Sequence, residues 1–295
     1  MHTPRARAFP TRLLVPGVRP MSAPPSNGLI RLLLLLLLGF GGLSGVLAGP
    51  VDCGDRPITF AYYKYGFFYY EQDGQGRGFD LDLIAELTAR TGCTFTAQVM
   101  PRARVWADLE NGQLDMSAAG VQTRERDRFA WFVPYFITKN YVLIRAPALR
   151  TVHSAADFLA QPALIFGVVR GFKHGEAQDQ WLEQLRRNAR IEESAGIDVL
   201  LEKLKRGRID GLFAQPPVYQ KIIADLDLAG EVVVQDWFGD DPGIRGNLIL
   251  AKSRFSAADA QRWQVLVRQL RDDGTLKRIF AAHMPATEAE QLLNF

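Results

Sequence analysis

The chain has 295 residues and a formal charge of +3, but residues 1–48 hold five arginines and no acid. Removing those five from the 35 Lys and Arg leaves 30 against 32 Asp and Glu, a formal charge of −2. No net positive field remains to argue for nucleic acid, and roughly 245 residues permit one large domain or two of about 120.

Residues 32–38 are seven consecutive leucines, preceded by Arg31 and followed by small residues ending at Ala48. A positive flank, a short apolar core and a small-residue end predict a secretory signal peptide over 1–48. Residues 32–48 contain four glycines and are short for a bilayer span of about 20 residues, so cleavage after Ala48 is expected, with an uncleaved anchor as the alternative. Met21 is an alternative start that leaves a leader of more ordinary length. Export predicts a periplasmic, soluble mature chain.

Cys53 and Cys93 are the only cysteines. In an oxidising compartment two thiols commonly pair. Each stands just before an apolar run, at 58–61 and 94–96. If those runs are neighbouring parallel strands, both cysteines lie at one end of the sheet and form a disulfide. Free thiols, or a lipidated Cys53, are the alternatives, although Pro50-Val51-Asp52 does not read as a lipoprotein cleavage site.

The run from Tyr62 to Tyr70 crowds seven aromatic residues into a loop after the first strand. Apolar spacing then predicts a helix over 80–90, ended by Gly92. A strand over 94–99, a helix over 104–110 and a strand over 114–118 follow. Such alternation predicts βαβ units and a mainly parallel sheet. Residues 109–116 (LENGQLDM) are echoed by 204–211 (LKRGRIDG). Each copy has a helix end, a glycine where the chain reverses, and an aspartate before a strand. The echo favours two lobes of similar construction. An extended run over 140–145 marks the boundary. Beyond it the pattern predicts helices over 154–159, 176–188, 197–205 and 218–226, strands over 164–169 and 246–251, and closing helices over 257–272 and 276–282. Ser154 is the expected cap of the first of these helices.

Several pieces carry a resemblance: residues 68–82 (FYYEQDGQGRGFDLD), Asn111 to Asp115 (NGQLD), Thr123 to Arg126 (TRER), Phe132 to Tyr135 (FVPY), Val168 to Gly171 (VVRG), Gly207 to Asp210 (GRID) and Asp273 to Thr275 (DGT). Their order and spacing resemble the family 3 periplasmic solute-binding proteins, known as polar amino-acid receptors of ABC importers. The resemblance covers nearly the whole mature chain. It implies an α/β, two-lobe periplasmic-binding-protein-like fold (type II) with mainly parallel sheets and a two-strand hinge. Lobe 1 would be 53–140 plus 246–285, lobe 2 would be 141–245, and 286–295 a C-terminal tail. Ligand would bind in the cleft and close the lobes. Such folds also place the Cys53 and Cys93 strands side by side, which supports the disulfide.

Arg126 is the foremost site candidate. It follows a predicted strand end, where ligands meet open α/β sheets, and a guanidinium there can clamp a carboxylate; the family position agrees. Gly120, Val121 and Thr123 would offer backbone and hydroxyl groups beside it, while Arg124 and Arg128 read as solvated charges. Tyr65 and Phe68 stand at or near positions where the family packs aromatic rings on ligand; Tyr69 and Tyr70 read as structural. In lobe 2, Arg170, Gly171, Phe172 and Lys173 form a strand-to-helix turn able to present N–H groups to an anion, and His174 reads as a surface or capping residue. Four residues depart from the family pattern. Gln215 stands where an acid usually holds an α-ammonium, Tyr62 and Tyr63 where an acid or small polar residue is common, and Arg102 where many relatives have an aromatic. A carboxylate, or an aromatic or heterocyclic acid, therefore fits at least as well as an α-amino acid.

The expected function is a periplasmic receptor for a small carboxylate-bearing solute, an amino acid or organic acid, acting with an ABC permease in the inner membrane. It is expected to be a monomer and not an enzyme, without metal or cofactor. The alternatives are a sensing module for a partner signalling protein, and a dehydratase-like enzyme with Glu176 or Asp241 as acid or base.

Overall fold

The computed structural model describes residues 49–295; the expected signal peptide and the choice between Met1 and Met21 lie outside them. From the N-terminal side come β1 (Ile58–Tyr62), a hairpin of β2 (Tyr70–Gln72) and β3 (Gln75–Arg77), and α1 (Phe79–Thr91). Next are β4 (Phe95–Val99), α2 (Arg102–Glu110), β5 (Met116–Gly120) and the long β6 (Ala130–Thr138). The chain then passes to β7 (Tyr141–Arg145), α3 (Ala155–Ala160), β8 (Phe166–Val169), α4 (Glu176–Arg187), β9 (Ile191–Ser194) and α5 (Ile197–Lys205). It continues through β10 (Gly211–Ala214), α6 (Pro216–Asp225), β11 (Val232–Gln235) and β12 (Ile244–Ala251), and closes with α7 (Ala257–Asp272), α8 (Thr275–Ala281) and α9 (Ala286–Gln291). Ser154 caps α3, its hydroxyl accepting from the Asp157 N–H.

Two five-stranded sheets result, in the orders β4-β1-β5-β12-β6 and β11-β7-β10-β8-β9. Each is parallel on one side and antiparallel on the other: β1 pairs parallel with β4 and β5, while β12 pairs antiparallel with β5 and β6. In the second sheet β8 pairs parallel with β9 and β10, and β7 antiparallel with β10 and β11. The antiparallel members are those flanking the crossings between sheets, where the chain leaves one sheet and enters the other without a return helix. Their two crossing paths run side by side, with Ile244 paired to Thr138. Cys53 and Cys93 form a disulfide at the shared start of β1 and β4, where Ile58 lies opposite Phe95. Residues 286–295, read from sequence as a tail, include α9 and the buried Ala289 and Leu292, and Leu292 accepts a hydrogen bond from the Ile137 N–H at 2.8 Å.

The sequence echo has a structural counterpart. Gly112 and Gly207 both follow a helix end with positive φ (70° and 66°), the conformation that lets the chain reverse without a Cβ penalty. Asp115 then accepts the Thr59 N–H at the start of β1 at 2.9 Å and grips Arg56 at 2.6 and 2.8 Å. Asp210 accepts the Ile165 N–H just before β8 at 2.9 Å and pairs with Arg145 at 3.0 Å. In each lobe one carboxylate thus sets two neighbouring parallel strands in register, and so fixes where both strands end. Burial opposes ionisation of Asp115, but hydrogen bonds from Arg56 and Thr59 outweigh it and hold the carboxyl below its usual range.

Asp210→Ala leaves the Ile165 N–H and Arg145 unpaired and is expected to lower the unfolding free energy by roughly 2–3 kcal/mol, read by urea denaturation. An unchanged midpoint would show that this carboxylate does not set the register.

Candidate functional site

The C-terminal ends of β1, β4 and β5 face those of β8 and β10 across the seam between the lobes, which are closed on each other. The Phe67 N–H of lobe 1 donates to the Pro217 carbonyl of lobe 2 at 2.9 Å. Arg126 spans the same seam. Its Nη1 donates to the Val121 carbonyl at 2.8 Å and its Nη2 to the Gly171 carbonyl of lobe 2 at 2.7 Å. The guanidinium lies 3.6 Å over Trp106, the Thr123 hydroxyl accepts its backbone N–H at 3.3 Å, and the residue is 6% exposed. Burial first, and the Arg102 charge second, lower its pKa to about 9. The group stays charged at neutral pH, and the penalty becomes a demand for a counter-anion.

A cavity of about 280 Å³ lies between the lobes, walled by Tyr63, Tyr65, Met100, Arg102, Val169 and Ile197, with Lys64 and Asp198 on its rim. Arg102 is 2% exposed. Its guanidinium sits 4.3 Å from the Tyr63 ring and 4.4 Å from the Phe172 ring, with Tyr65 at 5.7 Å. Nη2 donates to the Ala119 carbonyl at 3.0 Å, a carbonyl that also accepts from the Tyr63 hydroxyl at 2.9 Å. Among the described residues Nε and Nη1 have no partner. Ala119 carries a φ of 48°, a conformation costly for a residue with a Cβ, and this turns its carbonyl toward Arg102 and Tyr63. The Ala119 N–H donates to the Tyr135 oxygen at 3.1 Å, and the Tyr135 hydroxyl donates to buried Asp80.

The aromatic run divides by strand alternation. Tyr63 and Tyr65 reach the cavity. Tyr62 turns the other way and stacks on Tyr69, ring centres 4.9 Å apart. Phe68 is fully buried against Phe79 and Phe136. Both are therefore lobe packing rather than cavity wall. Gly120 and Val121 form the strand exit beneath Arg126, the Gly120 carbonyl taking the Asn247 amide at 2.9 Å. In lobe 2 Phe172 joins the cage, but Arg170 is exposed and pairs with Glu193 at 3.6 Å, and Lys173, half-buried, touches none of the cage residues by hydrogen bond.

The turn after β8 offers fewer N–H groups than its sequence suggests. Those of Arg170, Phe172 and His174 go to Ser194, Val169 and Asp179. What it presents is the Gly171 carbonyl, which answers a cation. His174, expected at the surface, is buried between Phe172 and Phe213, its Nδ1 3.4 Å from Asp179. Gln215 is buried, its amide donating to Asn140 at 3.3 Å and its Oε1 without a partner. Glu176 and Asp241 wall a separate cavity of about 660 Å³ beside Trp237 and Phe238. Among the described residues no group of three His, Cys, Asp or Glu is placed to hold a metal, and no helix is long and apolar enough to cross a membrane. Sequence reasoning missed Tyr63, Met100 and Ile197 as cavity wall; for Tyr63 the alternation from Tyr62 was the available signal.

The profile of the bacterial extracellular solute-binding proteins, family 3, matches residues 58–286. An arginine-binding periplasmic protein of Mannheimia haemolytica is 23% identical over 222 residues, 71% of this chain and 83% of that protein. An ancestral arginine-binding protein bound to arginine superposes with a TM-score of 0.65 at 17% identity, covering 77% of this chain and 97% of the other. The ancestral amino-acid-binding protein AncCDT-1, a precursor of cyclohexadienyl dehydratase, gives 0.63 at 19%, covering 77% and 95%.

Burial pushes the Asp80 carboxyl up to about 7, against the opposing Tyr135 hydrogen bond and Arg102 charge. Between about pH 4 and 7 the folded chain therefore holds a proton that the unfolded chain has released. This contribution to stability falls as pH rises through that window, by up to roughly 1.4 kcal/mol per pH unit. Asp80→Asn is expected to remove that slope in urea denaturation at pH 4.5 and 7; a pH dependence parallel to the parent's would contradict the assignment.

Proposed function

Because the chain belongs to the bacterial extracellular solute-binding proteins, family 3, we propose that it is a periplasmic receptor. It takes a small carboxylate-bearing solute into the interlobe cleft and presents it to an ABC permease of the inner membrane. The observation that carries this reading is Arg126: a buried charge at the seam whose side-chain partners are one carbonyl from each lobe. Carbonyls orient a guanidinium but leave its charge uncompensated. A carboxylate supplies the missing charge, and it does so best when both lobes surround it. Binding then favours the closed arrangement over the open one by its differential affinity for the two. Tyr65 and Phe172, 5.3 Å apart from opposite lobes, would cover the apolar part of the solute as the lobes meet. Gln215, in place of an acid, leaves an α-ammonium without a neutralising partner, so an organic acid suits the cavity at least as well as an α-amino acid.

A thermal-shift screen of organic acids, amino acids and polyamines tests this. A carboxylate at about a hundred times its Kd is expected to raise Tm by roughly 5–10 °C, and Arg126→Ala to abolish that shift. Full affinity in the variant, or stabilisation by polyamines alone, would overturn the reading.

A further inference from the structure

We propose that Arg102 sets the sign of the solute: the cleft takes a dicarboxylic acid without a charged amine and turns away amino acids with cationic side chains. This rests on the receptor reading and names the substrate class of that same interlobe cleft.

The aromatic cage is the first observation. Ring faces attract cations, and here the Tyr63 and Phe172 faces are already filled from within by the Arg102 guanidinium, at 4.3 and 4.4 Å. A solute bringing its own guanidinium or ammonium finds those faces taken and meets a like charge. The second observation is what Arg102 lacks. Its Nε and Nη1 are buried with no acceptor, and one carbonyl on Nη2 does not balance the charge. The forks of a guanidinium that fit a carboxylate are its Nε/Nη2 and Nη1/Nη2 edges; with Nε and Nη1 both unmatched, each edge keeps a free donor, and leaving them so in a dry site costs more than a neutral group would. Arg102 is also the first residue of α2, whose first turn holds no acid. A helix start favours negative charge, so the guanidinium and the helix demand the same counter-ion.

Arg126 doubles that demand. It too is buried with carbonyl partners only, and the Arg102 charge adds to the cost of its own. The acids around the pair are engaged or solvated. Asp80 takes the Tyr135 hydroxyl, Asp179 takes His174, and Glu125 is exposed. Asp198 stands exposed at the rim near Lys64, itself paired with Glu71. Two buried positive charges, neither ion-paired with a carboxylate among the described residues, call for two negative charges on the solute. Gln215, buried outside the cavity wall, brings an amide and no negative charge.

Isothermal titration of the purified chain at low ionic strength tests this with matched probes: glutarate against butyrate, isophthalate against benzoate, and L-glutamate and L-arginine beside them. At least one dicarboxylate is expected to bind tenfold or more tighter than its matched monocarboxylate, with L-arginine silent and L-glutamate weaker than glutarate. Arg102→Gln is expected to erase the dicarboxylate advantage while monocarboxylate binding persists. Arg102→Lys, which keeps the charge and loses the fork, is expected to retain part of it, and circular dichroism reports whether each variant folds. Monocarboxylates and dicarboxylates binding equally well, or L-arginine or L-glutamate binding best, would overturn the dicarboxylate assignment and leave the carboxylate receptor standing. Absence of binding by every carboxylate would overturn both.

Discussion

Two guanidinium groups lie buried at the seam between the lobes, and among the described residues both hydrogen-bond to carbonyls and neither forms an ion pair. The closed arrangement depends on how that charge is tolerated. Ring faces, backbone carbonyls and Trp106 lower the cost, but none of them carries a negative charge. Under the proposed receptor reading, opening the lobes returns both groups to water and closing them on an anion replaces water by a counter-charge, so that the lobe equilibrium and the charge of the solute become one linked quantity.

The rest of the fold holds those groups at the seam. Asp115 and Asp210 tie the start of one strand to its neighbour in each lobe, which determines where β5 and β10 end. The exit of β5 carries the Ala119 carbonyl toward Arg102 and Tyr63 through a backbone conformation that a residue with a Cβ adopts at a cost. Tyr135 and Asp80 hold the Ala119 amide from behind. The cavity wall is thus supported by a buried, hydrogen-bonded network in which one carboxyl is kept partly protonated near neutral pH. Packing and electrostatics meet at a single residue's backbone.

Much of this was legible in the residues. The repeated glycine and aspartate marked two similar lobes because each residue acts locally: the glycine reverses the chain after a helix, and the aspartate bonds one strand to the next. Cys53 and Cys93 could be paired because the strands they precede read as neighbours. The place of Arg126 just after a strand was legible, though not its burial over Trp106. Less visible were β6 and β11, whose pairing depends on partners distant in sequence, the short β9 with its polar IEES sequence, and α9, whose following Leu292 accepts the Ile137 N–H. The cavity wall was only half legible. Strand alternation separates Tyr62 from Tyr63, but a run of seven aromatics hides which phase faces the core. Phe68 matched a family position yet fills lobe 1. Three N–H groups of the turn after β8, those of Arg170, Phe172 and His174, were spent within its own lobe, which no local pattern announces. Arg102 looked like a departure from the family; its meaning came only with the rings that enclose it.

If the buried guanidinium pair is completed by an anion at the seam, a crystal structure of the chain grown with glutarate shows it most directly. The expected density places an oxygen of one carboxylate within hydrogen-bond reach of Arg102 Nε or Nη1, with the second carboxylate on Arg126 and the lobes closed around it. Lobes closed with both guanidinium groups still bonded only to carbonyls, and glutarate absent from the cleft, would contradict it.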